Sequence, residues 1–227
     1  MPPTLTLDLH IHTNYSHDGR DSVEKIIESA IVQKLDGIAI CDHDTMAGYY
    51  AAREYIRENN LDLIIIPGIE VTTTKGHLLV LGLEAGIEKG LSPEETIRIA
   101  REHAKNSTVI IIAPHPFHPF RHSIGNVCKR PGIDAIETYN SRYLSGVGNK
   151  IARRTAARNN IIAVAGSDAH SADCVGLATV EVETESKQTT SVEAILRGIK
   201  DGKVRIRTSK RTPFVVYCSQ LWKKRYL

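Results

Sequence analysis

The chain has 227 residues, a formal net charge of +3, 41% hydrophobic and 24% charged residues. That is the balance of an ordinary globular protein; it carries no electrostatic argument for a nucleic-acid partner, and the longest apolar run, VIIIAP, falls far short of a membrane span. The start, MPPTLTLDLHIH, has no basic segment leading a long apolar one, so no signal peptide is expected and the location is read as cytoplasmic.

In chain order, TLTLDLH is the first strand. The helix after it, SVEKIIESAIVQK, carries Val23, Ile26, Ile27, Ala30 and Ile31 at helical spacing, with Asp21 or Ser22 as its cap. GIAICD is the second strand, AGYYAAREYIRENN the second helix and DLIIIPG the third strand. EVTTT and HLLVLGL form a hairpin that turns at Lys75-Gly76. Ser92-Pro93 opens a helix with Glu94 and Glu95 in its first turn, where the helix dipole favours acids. TVIIIAP, IDAIETYN, IIAVAGSD and LATVEVE are the fourth to seventh strands; a helix around SVEAILRGI and a short strand VRIRT follow. Strands alternating with helices predict a mainly parallel α/β sheet with covered faces, and both an open doubly wound sheet and a closed barrel fit that alternation. The length suits one large domain. Cys41, Cys128, Cys174 and Cys218 stand far apart without CxxC spacing, as reduced thiols do, and the basic C-terminal run LWKKRYL reads as a solvated tail.

Almost every strand ends in a residue able to bind metal: His10 and His12, then Asp42, His43 and Asp44, then Glu70, His77, His115 with His118, Glu137 with Asn140, and Asp168 with His170. In a parallel α/β architecture the C-terminal strand ends share one face, where sites are built. Residues two apart on a strand point to one side, so His10 with His12, and Asp168 with His170, can grip one ion. One HxH is weak evidence, and a single acid after a strand is often a helix cap, as Asp44 would be. His17, His103 and His122 are expected at the surface. Imidazole and carboxylate without thiolate suit zinc, manganese or iron. More donors are available than one four-ligand structural zinc needs, which points to two or three ions and to metal-assisted phosphoester chemistry.

Taken together, DLHIHTNYSHDG, AICDHDT, GIEVTT, APHP and AGSDAH resemble the motifs of the PHP (polymerase and histidinol phosphatase) family, in the expected order from Leu7 to His170. The resemblance implies a distorted seven-stranded, TIM-like (βα)7 barrel with three metals at its C-terminal face. It implies a single PHP domain over 1–227, with the metal-binding core in 1–183 and a helix and strand extension in 184–227. His10, His12, Glu70 and Asp168 would hold the first ion, Glu70, His77 and His115 the second, and Asp18, His43 and His170 the third. His17 competes with Asp18 by spacing, and His118 with His77. The implied activity is that of a hydrolase acting on a phosphomonoester, a nucleotide or an oligonucleotide end, with a metal-bound hydroxide attacking phosphorus at a trinuclear site. His10, His12, Glu70, Asp168 and Arg142 would carry the catalysis. Arg142 and Arg121 are candidate phosphate clamps, with surface ion pairs as the alternative. Tyr15, Tyr139 and Tyr143 lie near enough to stack on a base, although packing or hydroxyl bonding is the plainer role. Histidinol-phosphate phosphatase is the alternative enzyme reading, and a non-catalytic metal-binding module the alternative outside enzymes.

Overall fold

A computed structural model describes residues 2–105, 107–143, 145–186 and 189–217. Cys218 and the LWKKRYL run lie outside them. Nine strands form one sheet: β1 (Thr4–Ile11), β2 (Gly37–Ile40), β3 (Ile64–Thr73), β4 (Gly76–Leu81), β5 (Ile110–Ala113), β6 (Ala135–Asn140), β7 (Ile162–Gly166), β8 (Ala178–Glu183) and β9 (Val204–Ser209). Among the described residues the longer α-helices that accompany them are α1 (Val23–Val32), α2 (Ala47–Asn59), α3 (Pro93–Ala104), α4 (Val147–Asn159) and α5 (Val192–Lys200). Among the described residues no helix is long and apolar enough to cross a membrane.

The strand order is β7-β6-β5-β4-β3-β2-β1-β8-β9. One edge, β7, packs against both β1 and the other edge, β9, and a bridge joins Ile11 to Ala169 just past β7. The sheet is therefore a nearly closed barrel. It has nine strands rather than the seven of the family expectation, and a strict (βα)7 repeat does not describe it. The physical reason is local. No helix separates β3 from β4, which pair antiparallel across Thr74 and Lys75, one residue earlier than the turn read from sequence. Gly76 there has φ +130°, a conformation that side chains resist. The third strand and the first arm of the hairpin are also continuous: DLIIIPG and EVTTT contribute to one ten-residue β3 that starts at Ile64. Antiparallel pairing recurs at β4–β5 and through β1–β8–β9, while β1–β2–β3 and β5–β6–β7 are parallel.

Two apolar clusters show which way each strand residue looks. The outer one joins Ile38, Ile40, Ile69, Val80 and Ile111 to Ile26 and Ile27 of α1, Tyr49 and Ala52 of α2, Ala100 of α3 and Ala152 of α4. The inner one joins Leu5, Leu7, Leu9, Ile66, Leu79, Ile112 and Val164 to Ile195, Leu196 and Ile199 of α5. So α1 to α4 cover the outside, and α5 alone among these helices supplies the lumen. Helix ends follow local chemistry. Ser92 Oγ accepts from Glu95 N and Ser191 Oγ from Ala194 N, at 3.2 Å each, as N-caps do. Ser22 takes the N-cap position of α1 without a side-chain bond.

Candidate metal centre

β1 begins with odd-numbered residues facing the lumen, since Leu5, Leu7 and Leu9 belong to the inner cluster. Ile11 belongs to the outer one. The faces exchange at a register shift between Asp8 and Ile11, which is a β-bulge. The even-numbered His10 and His12 consequently look into the barrel, both fully buried. Their Nε2 atoms stand 3.0 Å apart, and Glu70 Oε2 lies 3.3 and 3.1 Å from them. Asp168 Oδ1 is 3.8 and 3.6 Å from the same two nitrogens.

The segment after β2 is pinned on both sides of His43. Asp42 accepts from Thr13 N at 2.6 Å and from its hydroxyl at 2.7 Å. Asp44 accepts from Thr72 N at 2.7 Å and its hydroxyl at 2.9 Å. Asp44 is thus a strap between two strand ends, not the N-cap read from sequence, and Met46 occupies the cap position of α2. His43 Nε2 reaches toward Glu70 Oε2 at 3.6 Å and Asp18 Oδ2 at 3.7 Å. His170 Nε2 lies 2.9 Å from that same Asp18 oxygen. Because β4 runs antiparallel, His77 at its start meets the rim where parallel strands end; its Nδ1 is 3.0 Å from Glu70 Oε1. His115 Nε2, just past β5, is 3.1 Å from that oxygen.

Among the described residues three groups of donors have their ligating atoms within 4.8 Å of one another: His12, Asp18, His43 and His170; His10, His12 and Glu70; His43, Glu70 and His77. All nine residues read from sequence as ligands line this one mouth. His118 lies beside it, its Nδ1 accepting from Phe120 N at 3.2 Å and its ring against Tyr143. His17, His103 and His122 are exposed.

The donor set fits cations. Imidazole nitrogens that face each other at 3.0 Å cannot both donate, and a lone pair on each aimed at one point is the arrangement a metal satisfies. Burial pushes the Glu70 carboxyl up, but the imidazoles of His43, His77 and His10 outweigh it and hold it well below its usual range. Burial likewise opposes ionisation of Asp168, and Arg121, His10 and Arg142 overcome it. Burial keeps His43 neutral, down to about 4. Burial and then Arg121 keep His115 neutral, down to about 3. Burial lowers the His10 imidazole as well, but Asp168, Glu137 and Glu70 outweigh it and hold it well above its usual range, a proton that an arriving cation would displace; Glu70, Asp168, His43 and His115 have the ionisation that metal binding requires.

Seven non-glycine residues among those described have positive φ; four, Lys34, Asn60, Lys105 and Asn160, end helices, and the other three stand here. Asp44 (φ +56°), His115 (φ +29°) and Asp168 (φ +54°) are non-glycine residues with left-handed backbones, which persist where the surroundings enforce them.

The family model for the PHP domain matches residues 8–197. The chain belongs to the PHP domain family. An uncharacterised protein of Methanocaldococcus jannaschii, MJ1587, is 36% identical over 158 residues, covering 65% of this chain and 89% of that one. The 5′-3′ exoribonuclease Rnm of Salmonella typhimurium is 44% identical over 82 residues, 35% of this chain and 28% of the enzyme. The phosphoribosyl 1,2-cyclic phosphate 1,2-diphosphodiesterase of Eggerthella lenta is 39% identical over 85 residues, 35% of this chain and 31% of the enzyme. The alignments to these two enzymes thus span about a third of their length. Among solved structures, PsfC of Pseudomonas syringae shares the fold with a TM-score of 0.72 at 17% identity, over 99% of both chains. A two-domain protein of Bacteroides vulgatus, described as containing a predicted PHP-like metal-dependent phosphoesterase, has a TM-score of 0.74 at 16% identity, over 92% of this chain and 66% of that one.

Beneath the donors of this PHP site lies a layer that sequence reading left without a role. His10 Nδ1 donates to Glu137 Oε1 at 3.1 Å, which fixes the tautomer that leaves Nε2 a free lone pair. Glu137 Oε2 accepts from His115 N and from Asn140 Nδ2, at 2.8 Å each, and Asn140 also donates to Asp168 Oδ2 at 2.9 Å. Glu137 and Asn140 were visible as polar strand ends; only the packing shows that they hold His10, His115 and Asp168. Asp8 is a second such support. Its carboxylate accepts from the backbone N–H groups of His10, Ser167 and Gly176 at 3.3, 3.0 and 2.9 Å, tying the bulge to the segment that carries Asp168. Tyr143 is buried with its hydroxyl accepting from Phe117 N, the packing role rather than a stacking one. Tyr15 is 51% exposed.

Proposed function

We propose that this PHP domain is a metal-dependent phosphoesterase that binds two or three divalent ions and hydrolyses a phosphomonoester or the phosphoester of a nucleotide or oligonucleotide end. The observation that carries the reading is the convergence of His10, His12, Asp18, His43, Glu70, His77, His115, Asp168 and His170 on one mouth, with Glu70 touching four imidazoles. The PHP relatives support it: the two named enzymes act on phosphodiester and cyclic-phosphate bonds by their names. In this reading Glu70, which contacts His10 and His12 through Oε2 and His77 and His115 through Oε1, would be a ligand common to both pairs, while Asp18, His43 and His170 would hold a third ion. Manganese, zinc or iron suits such a set.

What divalent cations supply at such a centre is Lewis acidity toward phosphoryl oxygens and a water that ionises near neutral pH. The chain's own residues do the rest. Glu137 and Asn140 hold the ligands in place. Arg121 pairs with Asp168, its Nη2 at 3.3 Å from Oδ1, and Arg142 Nη1 lies 3.5 Å from that oxygen and 2.8 Å from His170 Nε2. Both guanidiniums border the centre, where they can grip phosphoryl oxygens and orient the ester in line with its attacking water. The buried walls exclude bulk water, which strengthens each of these charges.

The test is phosphate release from p-nitrophenyl phosphate, nucleotides and short RNA after loading with Mn²⁺, Zn²⁺ or Fe²⁺. Turnover that needs a divalent ion and vanishes in the His10→Ala/Asp168→Ala double variant is the expected result. Absence of turnover with every ion, or full activity in the double variant, overturns the reading.

A further inference from the structure

Arg142 stands between two spaces. Its Nη1 faces the metal centre, beside His170 and Asp168. On its other side lies a cavity of about 230 Å³, lined by Ser141, Arg142, Tyr143, Arg211, Thr212 and Tyr217 among others. Six buried side-chain polar atoms among the described residues have no hydrogen-bond partner, and three belong to this lining: Ser141 Oγ, Arg142 Nε and Thr212 Oγ1. Two of the other three are ring nitrogens of metal-centre histidines, His43 and His115. Ser141 is 1% exposed and Thr212 8%. The thiol of Cys174 is the weak neighbour of the Thr212 hydroxyl. Buried donors without partners are costly, so a cluster of them beside a cavity marks a place for a ligand.

The chemistry of that ligand follows from the lining. It holds two guanidiniums and the hydroxyls of Ser141, Thr212, Tyr143 and Tyr217, and no carboxylate among its described residues. Arg142 shares its charge with Asp168 at 3.5 Å on the far side, so the attraction rests on the partnerless donors beside the guanidiniums, a lining that suits an anion. Its volume is below that of pockets which enclose a whole drug-sized molecule, so it takes one substituent. The walls are fixed from both sides. Thr212 N donates to Ser141 O at 2.9 Å, which binds the segment after β9 to the loop after β6, and Lys210 N donates to Leu177 O at 2.7 Å, which binds it to the residue before β8. Gly146 (φ +69°) lets the Arg211 guanidinium lie against the chain, where a Cβ would meet Nη2 at 2.7 Å.

We propose that this cavity is an anion-binding subsite that takes a second phosphate or carboxylate group of the substrate, beyond the ester that is cleaved, and so rests on the phosphoesterase reading above. Ser141, Arg142 Nε and Thr212 donate to the anion and Arg211 adds charge. Arg142 joins the two sites, gripping the remote anion with one edge and bordering the reacting phosphoryl group with the other. Residues 211 and 212, outside every metal-binding motif, become determinants of substrate choice.

Two arms test it on the full chain. In the first, chelator-treated protein is titrated calorimetrically with inorganic phosphate. One site is expected, weakened about tenfold in Thr212→Val and in Arg211→Gln, the worth of one hydrogen bond to a charged group. Arg211 is exposed, so its variant keeps the fold, and an unchanged melting temperature checks this for both. No phosphate binding by the wild type, or equal affinity in all three proteins, overturns the subsite. In the second arm, the metal-loaded proteins are compared on a sugar bisphosphate, a phosphoester bearing a carboxylate, and p-nitrophenyl phosphate. The preference for a doubly anionic substrate, as a ratio of kcat/KM values, falls about tenfold in each variant; whichever of the two substrates shows it names the anion. Turnover with an unchanged ratio overturns the subsite and leaves the phosphoesterase reading standing. No turnover of any ester overturns that reading, while the phosphate titration still decides the anion site.

Discussion

The two ends of the barrel are built from the same strands and have opposite chemistry. At one end Ile195, Leu196 and Ile199 of α5 fill the lumen among Leu5, Leu7, Leu81 and Ile110. At the other, within the same cylinder, stand five buried imidazoles and two buried carboxylates: His10, His12, His77, His115, His170, Glu70 and Asp168. The plug gains free energy by leaving water; the mouth loses it, since buried charges cost more than their mutual attraction returns unless something further neutralises them. A single sheet thus separates the part that stabilises from the part that reacts. The lesson is that mutations at the two ends should have separable signatures.

The largest separation is expected at Glu70. Glu70→Ala removes the carboxylate that faces four imidazoles. It should lower kcat/KM by at least ~10³-fold, because metal charge stabilisation is worth several kcal/mol, with bound metal measured by mass spectrometry falling in step. Removing metal with a chelator should do the same to activity while far-ultraviolet circular dichroism keeps its native shape, since the apolar clusters contain no ligand. A chain that unfolds on chelation would erase the distinction between the ends.

Leu196→Ala is the converse. Leu196 is 1% exposed and sits against Gly82, where a Cβ would meet its Cδ1 at 2.5 Å. The cavity should cost ~2–4 kcal/mol, or roughly 5–15 °C in melting temperature, with kcat/KM of the folded protein kept within about twofold. Glu137→Gln tests the layer beneath the mouth. It places an amide donor against the donors of His115 and Asn140 or of His10, and should weaken metal affinity ~10–100-fold in a chelator competition, with little change in melting temperature.

The smallest effect is a pH dependence. Burial, then Arg121, holds His115 neutral down to about 3, whereas an unfolded histidine protonates near 6.5. The unfolded chain therefore binds the proton first as pH falls, so metal-free protein loses stability through this group below about pH 6.5. Between pH 7 and 5 the loss should be about 1–2 kcal/mol larger in the wild type than in His115→Gln, read from urea midpoints. Equal pH slopes would place His115 in water rather than in the mouth.

Much of this was legible in the sequence because periodicity and chemistry are local. TLTLDLH, GIAICD and IIAVAGSD show their strands directly, and Ser92-Pro93 shows the start of α3. The polar strand ends stood out against apolar runs. Other features required three dimensions. The hairpin and the short strand VRIRT are legible in the sequence, but the antiparallel return of β8 and β9 along β1 is a choice that alternation of elements does not record. Asp42 and Asp44 looked like the donors around them, yet spend their oxygens on Thr13 and Thr72. Glu137 looked like one more polar strand end, and only its distance to His10 reveals its support. The strand pattern of β1 even misleads, since simple alternation would set His10 opposite Leu9 all along the strand.

The bulge in that strand has a consequence for change by insertion or deletion. Its extra residue lets Leu9 and His10 face the lumen in succession while Ile11 keeps its pairing with Ile40. A residue lost upstream, between Leu5 and Asp8, would put either Leu5 or the pair His10 and His12 on the wrong face of the sheet, whereas a residue lost at the bulge itself would leave that pair facing inward. Tolerance to length variation in the first strand is therefore confined to the bulge, although nothing in the residues' identities advertises it.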